Sequence, residues 1–394
     1  MLHRFTVAMA LLAASAAAKD LVRISIQPAY HAIPIWAAKK YGWFEELGIE
    51  VELSVWASGA PQVKAAVEEK AWDFGIAGSV PNVIAGQQVI GEPGVEEWPP
   101  KTLTPTIFAG TPKSTGELLL RKCLVAANLT FDDEHILFDQ QGPIMEKLPQ
   151  SGDPQYACLW APNTYTYREA YPKAKVFCSG RNIDFPIYGG LMMRQEWAEG
   201  NMDLAKRVLA AYLRGVSFMQ NAELIDEVII VSDEYHKWSG DGISENAIKE
   251  DLILRPLFNL DQQLDHLDRN FANEYISDAD RHYIELEEFL FKQGVIQKKF
   301  EPREYVVREF MELVSKDPAL RAFSYFSAGD FENNAPKGSS SSSESNKVDG
   351  ALIAGIVLCV VGVFFLAFAF VVMKQKQTPI MVDKTDTQGE FNSA

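Results

Sequence analysis

The hydrophobic and polar positions between Val22 and Gly86 predict six alternating elements. VRISI (22–26) is short and β-branched, as a strand is, and HAIPIWAAKKYGWFEELG (31–48) has helical spacing and closes at Gly48. IEVELSVW (49–56) alternates like a half-buried strand, PQVKAAVEEK (61–70) is amphipathic, and WDFGIAGS (72–79) is a second buried strand. Strands alternating with helices imply a parallel sheet. Such sheets gather ligands beyond the carboxyl ends of their strands. Helix N-termini there offer unpaired N–H groups and a partial positive charge.

The next stretch, 87–106, is rich in Pro, Gly and acid and reads as a connection leaving the first domain. A smaller α/β unit follows: a strand at TIFAGT, a helix over 112–129 capped by Ser114 or Thr115, and strands at HILFD and QYACLWAP with a helix between them. After an extended return over 174–194, helical spacing runs from Gln195 to about Tyr325. The organisation expected is a lobe of 19–100 plus 180–335 and a second lobe of 101–179.

Composition adds the compartment. Residues 1–18 resemble a secretory signal, with His3 and Arg4 ahead of FTVAMALLAASA and small residues at the cleavage site. Residues 336–350 form a Ser-rich linker, and 351–373 are uncharged and long enough to span a bilayer. Lys374 and Lys376 place the 374–394 tail in the cytosol, so the chain reads as a single-pass type I membrane protein with an extracytoplasmic ectodomain. The net charge of −16 argues against nucleic acid as a partner. Of the three ectodomain cysteines, Cys158 and Cys178 lie on strand-like segments and are the preferred disulfide pair; three buried free thiols are the alternative. Asn128-Leu129-Thr130 is a glycosylation sequon for a eukaryotic secretory setting.

Five stretches carry a family resemblance. PAYHAIPIWAAKKYGWFEELGIEVEL, SGAPQVKAAVEEKAWDFGIAGSVPNVIAG, GTPKSTGELLLRKCLVAANLT, QYACLWAP and IYGGLMMRQEWAEGNMDLAKRVLAAYLRG resemble, in order, segments of the SsuA-like periplasmic solute-binding proteins of the sulfonate, taurine, nitrate and thiamine-pyrimidine type. The likeness covers about residues 21–325 and is closest over the first seventy; the compressed 87–106 stretch and the C-terminal span depart from it. It implies an α/β, two-lobed clamshell of the periplasmic-binding-protein type II class, with the solute held between the lobes.

The residues that would contact the solute are Gln27, Tyr30 and His31 after the first strand, Ser58 and Gly59, Gly78 and Ser79, and Lys113, Ser114 and Thr115 at the second lobe's helix start. Backbone N–H groups and hydroxyls at helix starts suit a small anionic or zwitterionic solute. Trp160 and Tyr188, with Trp56, would wall its apolar part. The bland alternatives are core packing for the aromatics, capping for the serines and solvent exposure for Lys113.

Nothing in the chain matches G-x-S-x-G, H-E-x-x-H, C-x-x-C or a P-loop, so no catalytic residue, metal site or cofactor is expected. Asp278 to His282 reads as a solvated acidic face. The family's pyrimidine synthase keeps a reacting histidine after the D-x-G strand, where this chain has Pro81. The expectation is therefore a membrane-anchored solute-binding protein with a transporter or receptor partner. A cell-surface receptor reusing the fold is the alternative, and a synthase-like enzyme the third.

Overall fold

A computed structural model describes residues 19–56, 59–77, 87–91, 108–129, 135–149, 154–183, 185, 190–240, 242–255, 257–270 and 275–327. All lie in one compact unit, 1–336. The signal segment, the linker, the 351–373 span and the tail lie outside the described residues, among which no helix is long and apolar enough to cross a membrane.

The first lobe is built on a sheet in the order β2-β1-β3-β9. β1 (Asp20–Ile26) runs parallel to β2 (Ile49–Val55) and β3 (Phe74–Ala77), and β9 (Gly190–Met193) closes the sheet antiparallel to β3. Central β1 buries both faces from Ile24 on, whereas edge strand β2 buries Ile49 and Val51 and turns Glu50 and Glu52 outward. The helix expected over 31–48 is three pieces: a single 3-10 turn at Tyr30–Ala32, α1 (Ile33–Lys40) and α2 (Trp43–Glu46). Gly42, at φ +73°, breaks it, a conformation that favours glycine. α3 (Gly59–Glu69) joins β2 to β3.

Asp73 opens β3 and staples the sheet. Its carboxylate accepts the Arg23 backbone N–H at 3.0 Å, the Arg23 guanidinium at 2.8 and 3.2 Å, and Arg194 after β9 at 2.8 Å. Burial works against its charge, but these donors hold its pKa below the usual carboxylate range. At Gly75 a Cβ would meet Ser25 Oγ and the Trp72 ring at 2.8 Å, so the Asp-Phe-Gly run is read here as packing and pairing.

The second lobe is a five-stranded sheet, order β6-β5-β7-β4-β8. The sequence reads 87–106 as a connection leaving the first lobe, with the boundary at 100; instead β4 (Gln87–Gly91) lies inside the second sheet, antiparallel to both β7 (Tyr156–Trp160) and β8 (Val176–Ser179). β5 (Phe108–Gly110) pairs parallel with β6 (Ile136–Phe138) and β7. α4 (Thr115–Ala126) covers one core of this lobe; α5 (Gln141–Lys147) and α6 (Asn163–Ala170), the latter absent from the sequence reading, cover another.

β4 also corrects the disulfide. Cys158 and Cys178 both pair with Val89, one from each side, so they stand two strands apart, about 10 Å, beyond the reach of an S–S bond. Cys178 is bonded to Cys123 of α4 instead, with a Cα–Cα distance of 6.1 Å, and Cys158 is a buried free thiol.

The remaining helices return to the first lobe, but not wholly, as expected for 180–335. α7 (Gln195–Gly200) leads into α8 (Met202–Met219), which lies so close to α1 that a Cβ on Gly215 would sit 2.3 Å from the Pro34 carbonyl oxygen. α9 (Ile225–Ser239), α11 (Leu260–His266), α13 (Glu309–Lys316) and α14 (Pro318–Phe323) add to the same core. α10 (Glu245–Leu254) instead packs Ala247 and Leu254 against Ala161 and Tyr165 of the second lobe. α12 (Asp278–Lys292) lays Leu286, Phe289 and Leu290 on the α4 core. Asp280 is not on a solvated face: it is buried, completes the α12 capping box with Ser277 and binds the Arg269 guanidinium at 2.7 and 2.8 Å; His282 is buried too.

Candidate functional site

In each lobe one buried glutamine ties the strand ends together. Gln62 of α3 donates to Ser25 Oγ at 2.7 Å and to the Ile76 carbonyl at 3.1 Å, and accepts from Gln27 Nε2 at 3.0 Å. Its carbonyl accepts the Trp72 indole N–H at 2.8 Å. Gln141, the first residue of α5, donates to Thr111 Oγ1 and the Cys158 carbonyl at 3.1 and 3.2 Å, and accepts the Trp160 N–H at 3.1 Å. Neither glutamine was singled out by sequence; a lone Gln carries no periodic or motif signal.

Of the first-lobe candidates, Gln27, Tyr30 and His31 sit together, buried, beyond the carboxyl end of β1. The Tyr235 hydroxyl donates to the Gln27 carbonyl at 2.5 Å and fixes this turn to α9. The Arg255 guanidinium lies over the Tyr30 ring, 5.0 Å from its centre. Arg255 is itself buried and donates from Nε to Asp251 Oδ1 at 2.5 Å and from Nη2 to Asp251 Oδ2. Tyr165 of α6 donates its hydroxyl to the same carboxylate. The pair thus links β1's exit in one lobe to α6 in the other, and sequence patterning missed it because a polar residue on a helix reads as surface.

Two histidines border this pair. His31 is fully buried, with no hydrogen-bond partner at either ring nitrogen, and burial with the nearby Arg255 charge pushes its pKa down to about 3. Burial pushes His236 of α9 down to about 4, with Arg255 adding to the effect and Asp251 and Asp233 opposing it. Both rings are neutral in the native state and gain protons only on unfolding once the pH falls below about 6.5, so stability is full above that value and drains below it. Between pH 7.5 and pH 5 the two together should remove about 4 kcal/mol. Urea denaturation at both pH values checks this, and a flat profile would rule it out.

The second lobe's predicted anion contact is already occupied. Ser114 caps α4 by accepting the Glu117 N–H at 3.3 Å, and the Glu117 carboxylate accepts the Lys113 N–H at 2.7 Å. This helix start therefore carries its own carboxylate, and the Lys113 side chain is exposed. Ser114 Oγ is further spent on the Thr111 carbonyl at 2.6 Å. Thr115 follows in the first turn. Trp160 is half-buried, its ring alongside Gly116, and Trp56 donates to Ser54. Ser58, Gly78, Ser79 and Tyr188 lie outside the described residues, as does the side-chain environment of Gly59. Asn128 is exposed just after α4, at φ +56°. Among the described residues no three His, Cys, Asp or Glu side chains form a metal-binding group.

No protein-family model and no curated protein matches the chain. Solved structures do. The periplasmic aliphatic sulphonate binding protein SsuA of Escherichia coli is 16% identical with a TM-score of 0.58, covering 73% of this chain and 91% of its own. The periplasmic sulfonate-binding protein of Methylobacillus flagellatus is 15% identical, also at 0.58, covering 78% and 97%. The periplasmic nitrate-binding protein NrtA of Synechocystis is 14% identical at 0.51, covering 81% and 91%. The fold of this chain is that of the periplasmic sulfonate- and nitrate-binding proteins.

Proposed function

We propose that the chain is an extracytoplasmic solute-binding protein, tethered to a membrane by 351–373, that captures a small anionic or zwitterionic solute between its lobes and delivers it to a transporter. One observation carries this reading. Two helix starts, at Ile33 and Asn163, open beyond strand carboxyl ends in opposite lobes and are linked through one Asp251–Arg255 pair. The likeness to proteins named for sulfonate and nitrate binding supports it. Among the described residues the His31 ring has no carboxylate to orient it, and burial pushes the Cys158 thiol up to about 12.

The test is a thermal-shift screen of the purified full-length chain against taurine, ethanesulfonate, nitrate, bicarbonate and an aminopyrimidine. A solute present at a hundred times its Kd stabilises by about 2.7 kcal/mol. One chemical class should raise the melting midpoint; none doing so, each at 10 mM, overturns the reading.

A further inference from the structure

Nearly half of the large apolar side chains exposed among the described residues fall between Tyr275 and Val307. Their centre is the end of α12 and the loop after it. α12 turns Leu286, Phe289 and Leu290 into the α4 core, and its other side carries the exposed Ile284 and Phe291, two turns apart. Gly294, at φ +66°, stops the helix, and the chain doubles back beside it. The Phe300 N–H donates to Glu287 at 3.3 Å, and the Lys299 amine donates to Glu288 at 2.6 Å. This return brings the exposed Phe300 back beside α12, with the exposed Val295 on the bend. Lysines edge these side chains. Lys299 lies over the Phe291 ring and Lys298 over the Phe300 ring, 5.7 and 4.5 Å from the ring centres. Glu288 is shared by Lys292 and Lys299, so one carboxylate answers two amines, and residues 291–300 contain no acid.

We propose that this surface docks the ectodomain onto the anionic lipid headgroups of the membrane that 351–373 enters. The tether belongs to the functional reading above, and the docking rests on it. Residues 328–350 separate Ser327 from Ala351 and reach at most about 80 Å even when fully extended. The surface is thus held near the bilayer at high effective concentration, and a contact too weak to recruit a free protein suffices. Phenyl rings and aliphatic side chains enter the headgroup boundary, while lysine stems carry their amines to the lipid phosphates. An anionic surface repels the chain's net charge of −16 as a whole, so the lysine-bearing side approaches first. A protein partner could also cover the apolar side chains. Lysines laid over both rings favour a layer of phosphates instead. Docking would hold the ectodomain in one orientation for a membrane partner.

Hydroxyl-radical footprinting of the full-length chain in lipid nanodiscs reads the exposure of Phe291 and Phe300 directly. With about 30% phosphatidylglycerol in phosphatidylcholine, both should oxidise about threefold more slowly than in phosphatidylcholine alone. Trp238 of α9, also exposed, should not change. Salt at about 0.5 M should remove most of the protection. Lys298→Gln/Lys299→Gln should remove it too, with an unchanged melting midpoint, because both side chains are exposed and surface ion pairs add little stability. Equal oxidation in the two kinds of disc, or protection that survives in the lysine variant, overturns the docking surface and leaves the tether standing. A chain that alkaline carbonate strips from lipid vesicles overturns the tether, and the docking with it.

Discussion

Arg255→Met should destabilise the protein by about 3–5 kcal/mol, the cost of leaving a buried carboxylate without its counter-charge. Asp251 is 1% exposed and Arg255 3%, so water reaches neither. The guanidinium holds both carboxylate oxygens, and once it is gone the Tyr165 hydroxyl is the one donor to Asp251 left among the described residues. The loss spreads further, because α10 joins the lobes here. Its neighbours include the Arg168–Glu250 ion pair and the Ser244–Glu169 hydrogen bond, both half-exposed or exposed and worth little on their own. Asp251→Asn/Arg255→Met keeps an acceptor for Tyr165 and removes both charges, so it should recover more than half of the loss. Urea denaturation of the single and double variants measures the coupling. A double variant as unstable as Arg255→Met would show that the buried charge is not the cause.

The alternation of strand and helix from Val22 to Ala77 was legible because each element keeps a clean period and ends on a small or polar residue. What the period could not carry was pairing. QQVIG (87–91) is five residues beside a Pro- and Gly-rich run, and nothing local says it will be the strand between β7 and β8. Missing it shifted the lobe boundary and made Cys158 and Cys178 look like neighbours. The candidate site shows the same divide. The loop after β1 was legible as a strand end, and Gln27, Tyr30 and His31 do lie together there. Lys113 to Thr115 matched the chemistry of an anion site, but the carboxylate that fills it comes from Glu117 of the same helix, which sequence offered only as a first-turn acid. Gln62, Gln141, Asp251 and Arg255 act through burial, and burial of a single polar residue is a property of the tertiary fold.

Those buried polar residues share a logic. Gln62 and Gln141 each spend their amide on backbone or hydroxyl groups of neighbouring strands, fixing the exits of β1, β3, β5 and β7 without adding charge. Asp73 does the same at the opposite end of the first sheet with two arginines, where a charge is affordable because Arg23 is 39% exposed. Among the described residues, the strand ends nearest the candidate site are thus held by neutral amides and a balanced ion pair.

The second large effect belongs to the Cys123–Cys178 bond. It joins α4 to β8 across 55 residues, and both cysteines are buried in the core that also takes Phe289 of α12. Closing a loop of that length restricts the unfolded chain by about 4 kcal/mol in the chain-entropy account. Cys123→Ala/Cys178→Ala should lose about that much in urea denaturation, with α4 and α12 the first helices to lose amide-exchange protection. Reductant should leave the native wild type intact, since the sulfurs are out of reach, and should lower its stability to that of the double variant once unfolding exposes them. Cys158→Ala should cost far less, because it removes one buried thiol and no cross-link. Peptide mapping of the unreduced chain decides the connectivity: Cys123 linked to Cys178 with Cys158 alkylated is expected. A Cys158–Cys178 peptide would mean that β4 does not lie between β7 and β8, and the second sheet would have to be rebuilt.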